Sequence, residues 1–282
     1  MATRCFHSIL SVVLALSLGT ASQPVRAADS ARPEEFFFLV FTSPVAGKEQ
    51  EYNRWYDQEH APDVVSIPGF VSAQRFVYSD VQLREVALKK PRYLVLYRIV
   101  TSDLPAVIAE VKHRLATGRT RISASLDPSS AQMYIYRAFR PVVPGVEGQP
   151  ADAHPGPMQT YYHVVFGDAV AGKDEEFNTW YDNEHVRDIV AAPGFVFGQR
   201  AIISEVQMEP IPNPSRYLAV FKIVTTDLPA VFRHKGGSEP PAAFDRARTF
   251  GYTYKAIGAP LVGDEVRAIR ATATSRAHPG RN

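Results

Sequence analysis

The stretch GKEQEYNRWYDQEHAPDVVSIPGFVSAQR, residues 47–75, recurs without a gap as GKDEEFNTWYDNEHVRDIVAAPGFVFGQR, residues 172–200. Both tryptophans of the chain, Trp55 and Trp180, lie in these two copies. The similarity continues through SDVQ and SEVQ, and then through RYL…TSDLPAV and RYL…TTDLPAV. Its period is longer than that of solenoid repeats, which is about 20–50 residues. The sequence therefore predicts two copies of one whole domain.

Each copy contains the same order of apolar segments and turns. An aromatic strand, EFFFLVF or TYYHVVF, precedes the helix of the repeated stretch, and a Pro-Gly-Phe turn follows that helix. Two strands come next, then a helix capped by Asp103 or Asp227, and a last strand. This βαββαβ order is the ferredoxin-like arrangement. Its sheet carries both helices on one face, so the other face must be covered by a second sheet, which the other copy supplies.

The first 27 residues have the features of an export signal. Arg4 precedes ILSVVLALSLG, an apolar run too short for a membrane span, and small residues precede a cleavage point after Ala27. The only cysteine, Cys5, lies in this segment, so the mature chain has no thiol for a disulfide or a cysteine metal site. We therefore expect a periplasmic or secreted protein with no membrane segment after signal removal.

Composition places the remaining boundaries. We predict a signal peptide at 1–27, a first ferredoxin-like unit at 33–141, a second at 158–260, a Pro- and Gly-rich linker at 142–157 and a mobile tail at 261–282. The whole chain carries 31 basic and 29 acidic residues, and the signal removes two arginines. The mature chain is then close to neutral, which argues against a nucleic-acid surface.

The motif W-Y-D-x-E-H-x-x-D-(I/V)-V-x-x-P-G-F, with Gln-Arg on the next strand, resembles the dimeric α/β-barrel superfamily and, within it, the EthD-like domains. The resemblance covers both copies. It implies an α+β fold in which two tandem ferredoxin-like βαββαβ units form an intrachain dimeric-type α/β barrel, whereas members usually pair two chains. Members include monooxygenases, cyclases, isomerases, dehydratases, haem enzymes and proteins with no known activity, so the resemblance leaves the reaction open.

The helix motif itself combines packing residues with candidates for chemistry. Its tryptophan and the Pro-Gly-Phe turn are predicted to pack the helix on the sheet. Its histidine lies near acids, and a carboxylate bonded to one ring nitrogen would fix the tautomer and raise the basicity of a general base. The alternative is a histidine that only interacts with the helix C-terminus. The catalytic candidates are His60, His185, Asp57, Asp182, Tyr56 and Tyr181.

The two copies differ at positions near these histidines. Arg187 follows His185 closely and has no counterpart after His60, so it is expected to lower the pKa of His185 and to hold an anionic substrate. His163 stands where the first copy has Phe38. It is a candidate binding residue if it faces the interior of the barrel, and a core residue if it faces the helices.

Strand residues supply further candidates for substrate binding. Neighbouring residues on a strand point to opposite faces, so one residue of each Gln-Arg pair enters the interior, and an arginine that bridges to a helix acid is the alternative to a ligand contact. Tyrosines two apart share a face and, with Tyr93, Tyr97 and Tyr217, predict an aromatic cavity, although tyrosine also simply favours strands. The candidates are Gln74, Arg75, Gln199, Arg200, Tyr134, Tyr136, Tyr252 and Tyr254, in addition to His163 and Arg187.

Several common motifs are absent from the sequence, among them G-x-G-x-x-G after a strand, the P-loop, G-x-S-x-G and H-E-x-x-H, and no spacing argues for a metal site. The leading hypothesis is an exported, cofactor-free enzyme that acts on a small hydrophobic or aromatic molecule by histidine-mediated proton transfer, as an isomerase, cyclase, lyase or monooxygenase. The alternatives are a non-catalytic periplasmic binding protein and, less favoured, a haem-binding barrel protein. The expected assembly is a monomer that contains the pseudo-dimer, or a homodimer of it.

Overall fold

The computed structural model describes residues 32–84, 91–146, 156–234 and 238–277. The predicted export signal, residues 1–27, lies outside the described residues, and so does most of the predicted linker. Among the helices of the described residues, none is long and apolar enough to cross a membrane.

The first unit has the predicted βαββαβ order. Its first helix is one continuous segment of two α-helical parts with a π-helical turn between them. Its second helix begins after Asp103, whose side chain accepts a hydrogen bond from the backbone N–H of Ala106 at 3.0 Å. The elements are β1 (Glu34–Pro44), α1 (Glu49–Trp55), the first π-helical turn (Tyr56–His60), α2 (Ala61–Val65), β2 (Phe70–Tyr78), β3 (Tyr93–Thr101), α3 (Leu104–Ala116) and β4 (Leu126–Ala138).

The second unit has the same order with a shorter second helix. Asp227 caps that helix by accepting a hydrogen bond from the backbone N–H of Ala230 at 2.9 Å. A two-residue strand, β5 (Val143–Pro144), lies between the units. The elements are β6 (Gln159–Gly167), α4 (Asp174–Trp180), the second π-helical turn (Tyr181–His185), α5 (Val186–Val190), β7 (Phe195–Ile203), β8 (Tyr217–Thr225), α6 (Leu228–Arg233), a 3-10 turn (Arg246–Arg248), β9 (Phe250–Val262) and α7 (Gly263–Ala277).

The strands form one closed antiparallel barrel. Their order is β4-β1-β3-β2-β9-β6-β8-β7, and β7 pairs back onto β4. The two junctions between the units are therefore β2 with β9, where Tyr78 lies opposite Tyr254, and β4 with β7, where Tyr136 lies opposite Ile203. This closure confirms the predicted fold class, two tandem ferredoxin-like units that form a barrel within one chain.

Strand alternation separates the barrel interior from the layers under the helices. In β1, Phe37, Leu39 and Phe41 belong to a buried cluster to which every barrel strand contributes. Phe36 and Phe38 point the other way and pack with the helices of the first unit. Both faces of the strand are buried, which explains why its sequence is one continuous apolar run.

The tyrosines divide between these two environments. Tyr93 and Tyr97 pack under the helices of the first unit and Tyr217 under those of the second, so the prediction that they share one cavity with the last-strand tyrosines is wrong. The alternation along β3 and β8 sends them outward, whereas leucines of the same strands point inward. The tyrosines that lie in the interior cluster or pack against it are Tyr78, Tyr134, Tyr136, Tyr162, Tyr252 and Tyr254.

Within the predicted mobile tail, residues 263–277 form helix α7. Arg267 of α7 donates to the backbone carbonyl of Val65, the last residue of α2, at 3.2 Å and to that of Phe70, the first residue of β2, at 3.1 Å. Gly263 allows this approach, because a Cβ there would lie 2.3 Å from the carbonyl oxygen of Phe70. Composition alone missed the helix because its stabilising contacts are long-range.

The repeated SDVQ and SEVQ segments join the two units. Gln82 of the first unit donates to the carbonyl oxygen of Thr253 at 2.9 Å and accepts from the N–H of Thr253 at 2.8 Å. Gln207 of the second unit makes the same pair of bonds to Ile135, at 2.7 and 2.9 Å. Each glutamine amide thus takes the place of a strand neighbour for the last strand of the other unit.

We expect Gln82→Ala and Gln207→Ala each to lower the free energy of unfolding by about 1–3 kcal/mol, because they leave the backbone N–H of Thr253 and of Ile135, respectively, without its partner. Urea unfolding followed by circular dichroism measures this loss. Gln58→Ala, at an exposed position of the first π-helical turn, is the matched control. Equal stability of Gln82→Ala and Gln58→Ala would contradict the joining role.

Candidate functional site

The repeated WYD-x-EH stretch forms a π-helical turn in each unit. The N–H of Ala61 bonds to the carbonyl of Tyr56, five residues earlier, and Val186 does the same with Tyr181. A residue therefore lies beside the one five positions later, and the His60 ring centre is 4.6 Å from that of Trp55. The corresponding distance from His185 to Trp180 is 4.4 Å. Single π-helical turns within α-helices occur frequently at functional sites.

The tryptophans of both turns are core residues, as predicted. Trp55 and Trp180 are each 6% exposed. Phe70, the last residue of the first Pro-Gly-Phe turn, is fully buried. This part of the motif fixes the helix on the sheet.

The acids of the motif bind arginines instead of histidines. Asp57 accepts a hydrogen bond from Arg75 at 2.5 Å, and Asp182 accepts one from Arg200. The Nδ1 atoms of His60 and His185 are buried and have no hydrogen-bond partner among the described residues. The expected histidine–carboxylate pairs are therefore not formed. The arginines point to the helix side of β2 and β7, where the helix carboxylates face them, which is the alternative that the sequence left open.

These arginines also lie over the tyrosines that were candidates for catalysis. The Arg200 guanidinium is 4.2 Å from the ring centre of Tyr181, and that of Arg75 is 4.7 Å from the ring centre of Tyr56. Burial raises the pKa of Tyr181 to about 12, and burial also raises the pKa of Tyr56. Both phenols keep their protons at neutral pH, and each ring packs against the arginine above it.

Burial lowers the pKa of three histidines to about 4, namely His60, His185 and His163. For His185, Asp188 opposes the shift, while Arg200 and Arg84 add to it. The cations that lower the pKa of His185 are thus Arg200 and Arg84, and not Arg187 as expected. All three rings are neutral at pH 7.

His163 faces the helices and not the interior. Its Nδ1 lies 2.9 Å from the hydroxyl oxygen of Thr253, and its ring packs at 6.0 Å from that of Phe232. A Cβ on Gly251 would lie 2.8 Å from Nε2, so the strand covers that side of the ring. His163 is therefore a core residue under the helices, the second of the two alternatives that the sequence left open. It does not line the interior of the barrel.

We expect stability to fall between pH 7 and pH 5, because the unfolded state binds protons near pH 6.5 while these buried histidines stay neutral down to about pH 4. Each histidine contributes about 2 kcal/mol to the loss. His163→Phe, which installs the residue of the first copy, should therefore reduce the loss by about that amount in urea unfolding at the two pH values. His113→Gln, on the exposed side of α3, should leave it unchanged.

The glutamines of the Gln-Arg pairs bond within the barrel wall. Gln74 donates to the carbonyl oxygen of Ile257 at 3.1 Å, where the pairing of β2 with β9 is irregular. Gln199 donates to a carboxylate oxygen of Glu35 at 3.1 Å. Gln74 thus bridges the neighbouring strands β2 and β9, whereas Gln199 of β7 reaches Glu35 of β1, on the far side of β4. Neither amide is placed in a ligand pocket by these contacts.

A pocket of about 200 Å³ opens at one end of the barrel, and we name it the barrel-mouth pocket. Three aromatic side chains from three different strands form its apolar walls. Phe166 stacks on Phe250 with ring centres 5.7 Å apart, and Tyr134 meets Phe166 at 5.6 Å. Its lining residues are Tyr134, Phe166, Ile211, Pro212, Asn213, Pro214, Ser215, Ala247, Arg248 and Phe250.

Arg248 organises the polar wall of the barrel-mouth pocket. It donates to Asp168 at 2.5 Å and to the backbone carbonyls of Asn213 and Pro214 at 3.4 Å. Asp168 also accepts from the backbone N–H of Arg216 at 2.6 Å. The carboxylate thereby ties the end of β6, the start of β8 and the 3-10 turn together, and it presents a guanidinium beside the aromatic walls.

Asn213 in this wall has a left-handed backbone conformation. Its φ is 48°, and no other non-glycine residue in the described part of the chain has a positive φ. Asparagine tolerates this conformation better than most residues, and strained backbone tends to occur at functional sites. Tyr134 was a predicted binding residue, whereas Arg248, Asn213 and Phe250 could not be predicted, because they come together with it only when the barrel closes.

The described residues form no cluster of metal ligands, and the candidate histidines are not placed to ligate a haem. No group of three or more His, Cys, Asp and Glu side chains is arranged to hold a metal ion in the described ranges. A histidine that ligates a haem iron needs an open side toward the iron. His60 and His185 instead lie against tryptophan rings, and the strand covers His163. The barrel-mouth pocket is lined by no histidine.

Comparisons with known proteins leave the activity open. No protein-family model matches the chain, and no curated protein matches it. Among solved structures, an anthrone oxidase-like protein is 14% identical, with 82% of this chain and 93% of that chain covered and a TM-score of 0.47. A putative monooxygenase from Fusobacterium nucleatum subsp. nucleatum is 10% identical, with 81% and 94% covered and a TM-score of 0.48. Similarity at this level assigns no activity to the chain.

Proposed function

We propose that the chain binds a small aromatic molecule with a negatively charged or carbonyl oxygen in the barrel-mouth pocket. The observation that carries this proposal is the combination of three aromatic walls with the Arg248 guanidinium around about 200 Å³. An apolar cavity of about 150 Å³ holds a benzene ring, so this volume suits one ring with a substituent. Ligand sites are commonly apolar pockets with a few placed polar groups.

The geometry also orients such a ligand. Tyr134, Phe166 and Phe250 favour a planar ring through stacked and edge-to-face contacts. Arg248 lies on the loop side, where a charged hydrogen bond to the oxygen of the ligand is worth about 1.5–3 kcal/mol. The proposal therefore distinguishes an aromatic acid from the same ring without the acid.

Calorimetry with 4-hydroxybenzoate and p-cresol tests the proposal. We expect the acid to bind about 10–100-fold more tightly than the cresol, and Arg248→Met to remove this preference. Arg246→Met is the matched control, since Arg246 is two positions away and pairs with exposed Glu239. Thermal unfolding of both variants separates loss of binding from loss of fold. The proposal is contradicted if neither 4-hydroxybenzoate nor p-cresol binds at millimolar concentration.

Histidine-mediated proton transfer is a second candidate function, favoured by the π-helical turns. His60 and His185 are neutral at pH 7, and their buried Nδ1 atoms have no partner among the described residues. Each imidazole ring is thus deprotonated and can accept a proton, and no carboxylate of the described residues bonds to its Nδ1. This candidate places the chemistry at the turns, apart from the barrel-mouth pocket.

We expect the double variant His60→Gln, His185→Gln to lose any conversion of aromatic compounds that the wild-type chain shows by mass spectrometry. Binding at the barrel-mouth pocket should persist in that variant, because no histidine lines it. Conversion at the wild-type rate would remove the histidines from the mechanism. A wild-type chain that returns every bound compound unchanged is a binding protein.

A further inference from the structure

Tyr134 is the contribution of the first unit to the barrel-mouth pocket, whereas the other nine lining residues belong to the second unit. Its strand, β4, lies four places from β9 in either direction around the closed ring β4-β1-β3-β2-β9-β6-β8-β7. Strand β9 begins at Phe250, two residues after Arg248. Tyr134 and Arg248 therefore come from opposite sides of the barrel wall.

Phe166 fills the space between these two sides. Its ring centre is 5.6 Å from that of Tyr134 and 5.7 Å from that of Phe250. The interior of an eight-stranded barrel is only wide enough for side chains or one small ligand. A flat ligand that packs on Phe166 therefore extends from the side of Arg248 towards Tyr134.

The repeat shows that the two sides of the pocket differ in polarity. Phe41 of β1 pairs with Gln132 of β4, and the equivalent Phe166 of β6 pairs with Phe250 of β9. Gln132 and Phe250 thus occupy equivalent positions in the two units. The side that carries Tyr134 has a polar residue at this position, and the side that carries Arg248 has an aromatic one.

Tyr134 and Gln132 form a hydrogen-bonded pair. The hydroxyl of Tyr134 donates to Oε1 of Gln132 at 3.4 Å. Burial raises the pKa of Tyr134, so the phenol keeps its proton at neutral pH. A phenol has one proton to donate and an oxygen that also accepts. With the proton directed to Gln132, the oxygen of Tyr134 offers lone pairs, and the matching group on a ligand is a hydrogen-bond donor.

We propose that the ligand of the barrel-mouth pocket is an aromatic acid with a hydroxyl group on the ring carbon farthest from the acid, and that this hydroxyl donates a hydrogen bond to Tyr134. The inference rests on the proposed function, in which Arg248 holds the acid. It adds a second polar end to the ligand and makes Tyr134 a specificity-determining residue. A hydroxyl next to the carboxylate would lie beside Arg248 instead.

Calorimetry with 4-hydroxybenzoate and 4-fluorobenzoate tests the inference, because fluorine is close to a hydroxyl in size but donates no hydrogen bond. The wild-type chain should bind 4-hydroxybenzoate about three- to tenfold more tightly, as expected for one neutral hydrogen bond. Tyr134→Phe should remove this preference. The same variant should bind 2-hydroxybenzoate as tightly as the wild-type chain does.

Tyr162→Phe is the matched control, because it removes a tyrosine hydroxyl from the barrel at a position that does not line the pocket. Tyr162 packs on Phe76 with ring centres 4.7 Å apart. It precedes Phe166 by four residues on β6, which is about 13 Å along a strand. This variant should keep the preference for 4-hydroxybenzoate, and thermal unfolding of both variants separates a loss of binding from a loss of fold.

Equal affinity of the wild-type chain for 4-hydroxybenzoate and 4-fluorobenzoate overturns this inference without the need for any variant. An equal loss of the preference in Tyr134→Phe and Tyr162→Phe overturns it as well. In either case the proposed function stands if the wild-type chain prefers 4-fluorobenzoate to 4-fluorotoluene and Arg248→Met removes that preference. If none of these compounds binds at millimolar concentration, the inference and the proposed function both fail.

Discussion

The structure depends on covering the inner apolar face of each four-stranded sheet. In β1, Phe37, Leu39 and Phe41 are almost completely buried, yet the helices of the first unit pack on the opposite face. Only the sheet of the other unit can bury these side chains, because a ferredoxin-like unit has no helices on its second face. Edge pairing follows from the same constraint, since β2 with β9 and β4 with β7 close the barrel and leave no open edge between the units.

That constraint explains why the fold could be predicted from the sequence. The long ungapped repeat, the continuous apolar strand and the Asp-Leu-Pro helix starts all describe local features that each copy satisfies by itself. The structure confirms the order of strands and helices along each copy, the Asp103 cap and the buried tryptophans. Features that depend on the other unit were missed, such as the bonds of Gln82 to Thr253 and the ordered start of α7. The repeated SDVQ segment was visible, but its partner lies in the other unit.

The site could be predicted less well, for a physical reason. Helical spacing assumes 3.6 residues per turn, and the π-helical turn alters which side chains meet. His60 therefore packs on Trp55, and Asp57 reaches Arg75. Asp57 and Asp182 on the helices form ion pairs with Arg75 and Arg200 on the strands. These carboxylates are therefore not bonded to the histidines. The barrel-mouth pocket combines β4, β6 and β9 with a loop and a 3-10 turn, and no periodic pattern in one segment indicates that combination.

Joining both halves of a barrel in one chain has a consequence for how the chain is made. Strand β2, near the beginning, pairs with β9, near the end, and Gln82 bonds to Thr253. The aromatic inner face of the first half therefore stays uncovered until the last strand is available to pair with β2. Contacts this distant in sequence slow folding and prolong the exposure of sticky intermediates. In a barrel made from two separate identical chains, each chain can form its own four-stranded sheet before the two chains associate. In this chain the barrel cannot close until β9, the last strand, pairs with β2.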